Sequence, residues 1–111
     1  MSYTVEIAEQ AVQDLRDIYE YIAFVLQSPQ NASSQLDRLE ENINSLERMP
    51  ERYRRYEREP WHSQGWRIMS VDRYCVFYVP DHDRMVVNIA RVIYGGQNME
   101  TALSEDEPAE L

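Results

Sequence analysis

Two β-rich runs near the C-terminus, RYCVFYV and MVVNIARVIY, constrain what this chain can fold into more than any other stretch. Val, Ile, Tyr and Phe pack well on a pleated surface, and the polar break between the runs, Pro80 to Arg84, has the composition of a turn. The pair predicts a β-hairpin whose second strand, Met85 to Tyr94, carries Arg91 and leads into Gly95 and Gly96. Just upstream, Trp66 to Val71 reads as another strand, and Asp72-Arg73 makes a tight turn into Tyr74 to Val79. The C-terminal half is therefore a three-stranded antiparallel meander. Its middle strand is apolar at successive positions, so both of its faces need cover.

Helices from the N-terminal half are expected to cover one face, with something else near the other. Tyr3, Val5 and Ile7 alternate with Thr4 and Glu6, the pattern of a short half-buried strand. From Ala8 the period lengthens: Ala8, Ala11, Val12, Leu15, Ile18, Tyr19, Ile22 and Val25 follow the three-and-four spacing of one helical face. Glu9, Asp14, Arg16, Asp17 and Glu20 fall largely outside it. Ser28-Pro29 predicts the start of a second helix, with the serine capping free N–H groups and the proline at the first helical position. Its apolar face is Ala32, Leu36, Leu39, Ile43, Leu46 and Met49, and Pro50 ends it. So short a connection makes the two helices an antiparallel hairpin. The element order is β-α-α-β-β-β, and the fold class is α+β, an antiparallel helical hairpin packed on a mainly antiparallel C-terminal sheet. After the sheet, Asn98 caps a last turn through Leu103. Residues 1–103 are expected to form a single domain, with 104–111, SEDEPAEL, as a disordered acidic tail.

Charge is unevenly placed. The net charge is −9, yet residues 48 to 73 carry seven arginines against four acids, while 1 to 47 carry two against nine. All eleven basic residues are arginine, which favours forked contacts to carboxylate or phosphate over diffuse point charges. The connection from 51 to 65 concentrates them: Arg52, Arg54, Arg55 and Arg58 stand among Tyr53, Tyr56 and Trp61. Such a set can hold phosphate and stack on bases, or contact a target. The plainer alternative is that the rings pin the connection to the core and the arginines pair with Glu51, Glu57 and Glu59 in solvent. The single Cys75 excludes an internal disulfide, and with His62 and His82 it has no spacing that suits zinc, so neither metal nor cofactor is expected. No apolar run approaches a membrane span and no basic-then-apolar leader opens the chain, so no membrane partner and a cytoplasmic location are expected.

The ordered set of these stretches resembles the RelE/ParE superfamily of bacterial type II toxins. The likeness spans residues 3 to about 103: YTVEIAEQAVQDLRDIYEYI, with its A-x-x-D-L-x-x-I, then SPQNA, LERMP, GWRIMSVDRYCVFYV and VNIARVIYG. The resemblance implies a small growth-inhibiting toxin held inactive by a cognate antitoxin that wraps over the helices and sheet. Two mechanisms occur in the superfamily. ParE-like members bind and poison DNA gyrase. RelE-like members cut messenger RNA on the ribosome without metal, which requires a base, an acid and cations to stabilise the phosphorane.

For the ribonuclease reading, Arg67 in GWRIM matches the family's second-strand arginine, and Arg91 is a second phosphate stabiliser. Tyr94 supplies a hydroxyl or a stacking ring, and His62 or Glu59 a proton acceptor. For Arg67 and Arg91 the alternative is a structural pair with an acid such as Asp72; for Tyr94, a ring at the edge of the core; for His62, solvent exposure. The lysines common in RelE-like sites are absent, and the last strand ends in Tyr94-Gly95 where such sites place a His-Tyr pair. The helical hairpin and the segment after the last strand are more ParE-like, which favours gyrase binding. Gly95, Gly96 and Gln97 stand where that family places a basic residue, which also admits a weakened toxin that only binds its antitoxin.

Overall fold

The computed structural model describes residues 2–104. Strand β1 (Thr4–Ile7) leads into helix α1 (Glu9–Glu20), whose last turns widen into a π-helical segment, Tyr21–Val25. Helix α2 (Pro29–Asn44) returns antiparallel, and two 3₁₀ turns, Ser45–Glu47 and Pro50–Arg52, lead into the long connection. Strands β2 (Arg67–Val71), β3 (Tyr74–Asp81) and β4 (Val86–Tyr94) form the meander, and α3 (Met99–Ser104) closes it. The expected acidic tail lies outside the described residues apart from Ser104, the last residue of α3. Among the described residues no helix is long and apolar enough to cross a membrane.

The sheet order is β1-β4-β3-β2. β1 starts on one edge, the helical hairpin crosses a face, and β2 begins the meander on the other edge. The meander then brings β4 back beside β1, with Thr4 opposite Val86 in the sheet's one parallel pairing. Within β3 and β4 a bulge sets Phe77 opposite Arg91 but Tyr78 opposite Ile89, so Ala90 is an extra residue. A one-residue slip exchanges the faces. Val87 and Ile89 accordingly join the helix-side core with Leu39, Ile43, Val76 and Tyr78, whereas Ile93 joins Tyr56, Trp61, Phe77, Ala102 and Leu103 on the opposite side. The doubly apolar middle strand thus has its expected second cover, supplied by the long connection and α3.

Several local expectations are corrected. Ser28 makes no side-chain cap. Its backbone is already committed to ending the π segment: Gln27 turns left-handed at φ 55°, and the Ser28 N–H reaches back 3.0 Å to the Ile22 carbonyl. Pro29 does stand at the start of α2. Met49, placed on the buried face of α2, is 72% exposed because the helix has tightened and stopped before it. Val12 and Val25 are 44% and 66% exposed. The wider π turn rotates the residues after Glu20 away from the three-and-four stripe, which carries Val25 outward. Pro80 and Asp81 lie within β3, and Met85, at φ 55°, belongs to the turn and not to β4.

Candidate functional site

The parallel pairing of β1 with β4 ends at Ile7 and Ile89, where the chain turns away into α1. The outer edge of β4 from Arg91 onward would leave main-chain donors bare, and a side chain of α1 answers it. Asp14 accepts the Val92 N–H at 2.9 Å, Arg91 Nε at 2.8 Å and Arg91 Nη2 at 3.0 Å. Arg91 Nη1 reaches the Ala102 carbonyl of α3 at 2.9 Å. One guanidinium therefore ties α1, β4 and α3, and both partners of the pair are buried. Such a forked, charge-assisted contact is strong in geometry, but burying two charges cancels most of its net gain. Its main energetic consequence is that neither partner can be lost cheaply.

Beside this pair a cleft of about 870 Å³ opens between the helical hairpin and the end of the sheet. Arg91 and Tyr94 line it with Arg73 and Arg38; Tyr21 and Leu26 stand at its rim. The rim continues onto an apolar hairpin tip, where Tyr21, Phe24, Val25 and Leu26 are 54%, 68%, 66% and 55% exposed. Tyr94, expected as an edge-of-core ring, is exposed and meets Tyr74 edge-on at 5.9 Å. Its ring lies over Gly96, where an added Cβ would come within 2.4 Å of it. The glycine thus gives the ring its resting place.

The other expected site residues are elsewhere. Arg67 donates to the Tyr53 carbonyl at 2.7 Å and the Glu51 carbonyl at 3.2 Å. Its alternative partner Asp72 is instead held by Arg38 and Gln35, each at 2.8 Å, and these bonds keep the Asp72 carboxyl below the ordinary range. His62 is partly exposed, with Nδ1 3.7 Å from Glu59. Ser63 donates twice to Glu59 and lowers its pKa, which weakens it as a proton acceptor.

The loop arginines correct another expectation. They do not pair with Glu51, Glu57 and Glu59 in the main. Arg52 donates to the carbonyls of Ser45 and Arg48 and lies over the Tyr53 ring at 4.9 Å; Arg55 donates to the His62 carbonyl; Arg58 stands 4.0 Å from Glu100. Arg54 offers its main-chain carbonyl to the Ile68 N–H at 3.1 Å. A connection with little regular structure leaves carbonyls without partners, and guanidinium groups supply them. The rings behave as the plainer reading expects: Tyr56 packs edge-on to Phe77 at 5.1 Å, and Trp61 is 6% exposed. Cys75 is half-buried, and burial pushes its thiol up.

The structure thus brings Arg91 and Tyr94 to one cleft and sends Arg67, His62 and the loop arginines elsewhere. Asp14 was missed because an acid on an amphipathic helix is assigned to water. Its signal was the spacing Ala11, Asp14, Ile18, which sets it on the buried stripe.

Comparison with known proteins bears on the whole fold. The family model for the ParE toxin of the type II toxin-antitoxin system parDE matches residues 5–99. No curated protein matches the chain. Among solved structures, the chromosomal ParDE toxin-antitoxin system from P. aeruginosa has a matching chain at TM-score 0.70 and 18% identity, covering 84% of this chain and 96% of that one. The RelBE2 toxin-antitoxin complex from Mycobacterium tuberculosis matches at 0.60 and 23%, covering 85% and 99%. The isolated E. coli RelE toxin matches at 0.61 and 13%, covering 94% and 96%. At these identities the likeness is one of fold.

Proposed function

The chain belongs to the ParE toxin family of type II toxin-antitoxin systems, and from that premise we propose that it arrests bacterial growth by binding DNA gyrase and is neutralised by a cognate antitoxin. One observation carries the choice of target. A ribonuclease needs cations directed at a scissile phosphate, and the two candidates are engaged by acceptors within the chain: Arg91 by Asp14 and Ala102, Arg67 through Nη1 by the Glu51 and Tyr53 carbonyls. They also point to different places, since Arg91 faces the cleft and Arg67 does not. A binding toxin needs a surface instead, and the apolar hairpin tip beside the cleft provides one.

The toxin-antitoxin complexes among the structural relatives support an antitoxin partner. We assign its segment to the cleft, where apolar side chains would cover Tyr21 and Leu26. The gyrase reading also places the protein in the cytoplasm.

The test is induction in a bacterial host with and without the adjacent antitoxin frame, followed by mapping of messenger RNA ends and assay of gyrase supercoiling. The expected result is growth arrest with intact messages and trapped gyrase–DNA complexes. Messages cut at defined codons, with cutting lost in Arg67→Ala, would overturn the proposal in favour of a ribosome-dependent ribonuclease. Harmless induction with tight antitoxin binding would instead mark a weakened toxin.

A further inference from the structure

Away from the cleft, three polar side chains from distant parts of the chain meet on the surface beside β1. The Tyr3 hydroxyl lies 2.6 Å from His82 Nδ1, and His82 Nε2 lies 3.2 Å from a Glu51 carboxylate oxygen. With the neutral imidazole's proton on the Nε2 side, facing the carboxylate, Nδ1 is the acceptor and the Tyr3 hydroxyl donates to it. The two rings meet edge-on at 5.7 Å.

Each member is held from behind. The Tyr3 N–H donates to the Glu47 carbonyl at 2.7 Å, and the Thr4 N–H to the Met85 carbonyl at 2.9 Å. The Pro50 carbonyl accepts the buried Tyr78 hydroxyl at 2.5 Å, and the Glu51 carbonyl accepts Arg67. The turn carrying His82 is closed by the Arg84 N–H on Asp81 at 3.2 Å. A hydroxyl hydrogen-bonded to an imidazole, with a carboxylate in ion-pair range of the far ring nitrogen, all on fixed backbone, has the parts of an activated nucleophile.

We propose that Tyr3 is a base-activated phenol and an O-acylation site for neutral acyl donors. The His82 turn carries two carboxylates, Asp81 and Asp83, against one cation, Arg84, and Glu51 adds a third, so an anionic phosphoryl donor is disfavoured. In the step, Tyr3 Oη forms a bond to the acyl carbon while His82 Nδ1 takes the phenol proton. The bond from the acyl carbon to the leaving group breaks, the proton passes from His82 to that group, and Glu51 stabilises the transient imidazolium. The His82 and Glu51 side chains are 50% and 56% exposed, so a donor reaches the relay from solvent. The inference is independent of the cleft and of the toxin's target.

The test treats the full chain briefly with N-acetylimidazole near neutral pH and follows each tyrosine by peptide mass spectrometry. Tyr21, 54% exposed, is the internal reference. Tyr3 is expected to form its acetyl ester about tenfold faster or more, a conservative share of what a positioned general base supplies. His82→Phe, which keeps an aromatic ring, brings Tyr3 down to the Tyr21 rate; Glu51→Gln lowers the excess while the base remains. Circular dichroism checks that both variants fold, and Glu51→Gln carries the test if His82→Phe does not. Equal rates at Tyr3 and Tyr21 in the unaltered chain sink the proposal, as does an excess left undiminished in the folded variants.

Discussion

Asp14→Ala tests the reading of the buried pair most directly. The substitution removes the acceptor of two guanidinium bonds at 2.8 and 3.0 Å and of the Val92 N–H at 2.9 Å. Treated separately, three bonds involving a charged group at ~1.5–3 kcal/mol each would overshoot, because they share one carboxylate and are not additive. The governing quantity is the loss of a buried carboxylate partner by the Arg91 charge, 8% exposed, and breaking such a pair costs ~3–5 kcal/mol. A domain of this size is stable by ~5–15 kcal/mol, so Asp14→Ala removes a large share of the total. With a urea slope of ~1.5 kcal/mol/M, the midpoint of equilibrium unfolding falls by roughly 2–3 M. Arg91→Met in the Asp14→Ala background takes the buried charge away as well and returns ~1–3 kcal/mol. A loss below ~1 kcal/mol for Asp14→Ala, the value of an exposed pair, refutes the argument. So does a double variant whose loss equals the sum of the single ones.

Other perturbations probe the remaining elements. Burial pushes the Tyr78 phenol up to about 12, above the 10.0 of a free tyrosine. The raised value means that its contribution is intact below pH 10 and is lost as pH rises through about 12, so Tyr78→Phe flattens the alkaline limb of the stability curve. At neutral pH the same change costs ~1–3 kcal/mol, because the Pro50 carbonyl loses its donor; urea melts across pH measure both effects. Gly96→Ala displaces the Tyr94 ring, which changes near-ultraviolet circular dichroism while moving stability by ~1 kcal/mol or less. Phe24→Ser with Leu26→Ser leaves stability within ~0.5 kcal/mol but weakens antitoxin binding about tenfold or more by calorimetry, since both side chains are already exposed. Trp61→Ala costs ~3–5 kcal/mol in the same melts and loosens α3, whose Ala102 and Leu103 pack in the same cluster.

What was legible in the sequence follows from what has a period. The helical stripes, the alternation in β1 and the apolar runs of the meander each repeat over several residues, and all of those elements are present in the order read. Features made by a single partner were not legible. Nothing in TVEI says that it lies parallel to β4, and nothing in VNIAR marks Ala90 as the residue that exchanges the faces of the sheet. The π segment hid because YIAFVL is apolar throughout, so helical spacing could not separate buried from exposed positions. The arginines hid for another reason. Their partners are mostly main-chain carbonyls, which every residue carries and no pattern marks. Asp14 alone left a readable trace, an acid at core spacing.

The pairing of Thr4 with Val86 has a consequence for how this protein comes into being. β1 has no strand neighbour until β4, the last strand of the sheet, has left the ribosome, and contacts so distant in sequence form late. Synthesis at ~5–20 residues per second keeps the growing chain unfinished for several seconds. A product cut short before β4 lacks the strand that carries Arg91 and Tyr94, so premature termination leaves β1 unpaired and the cleft unbuilt. The topology makes the cleft conditional on finishing β4.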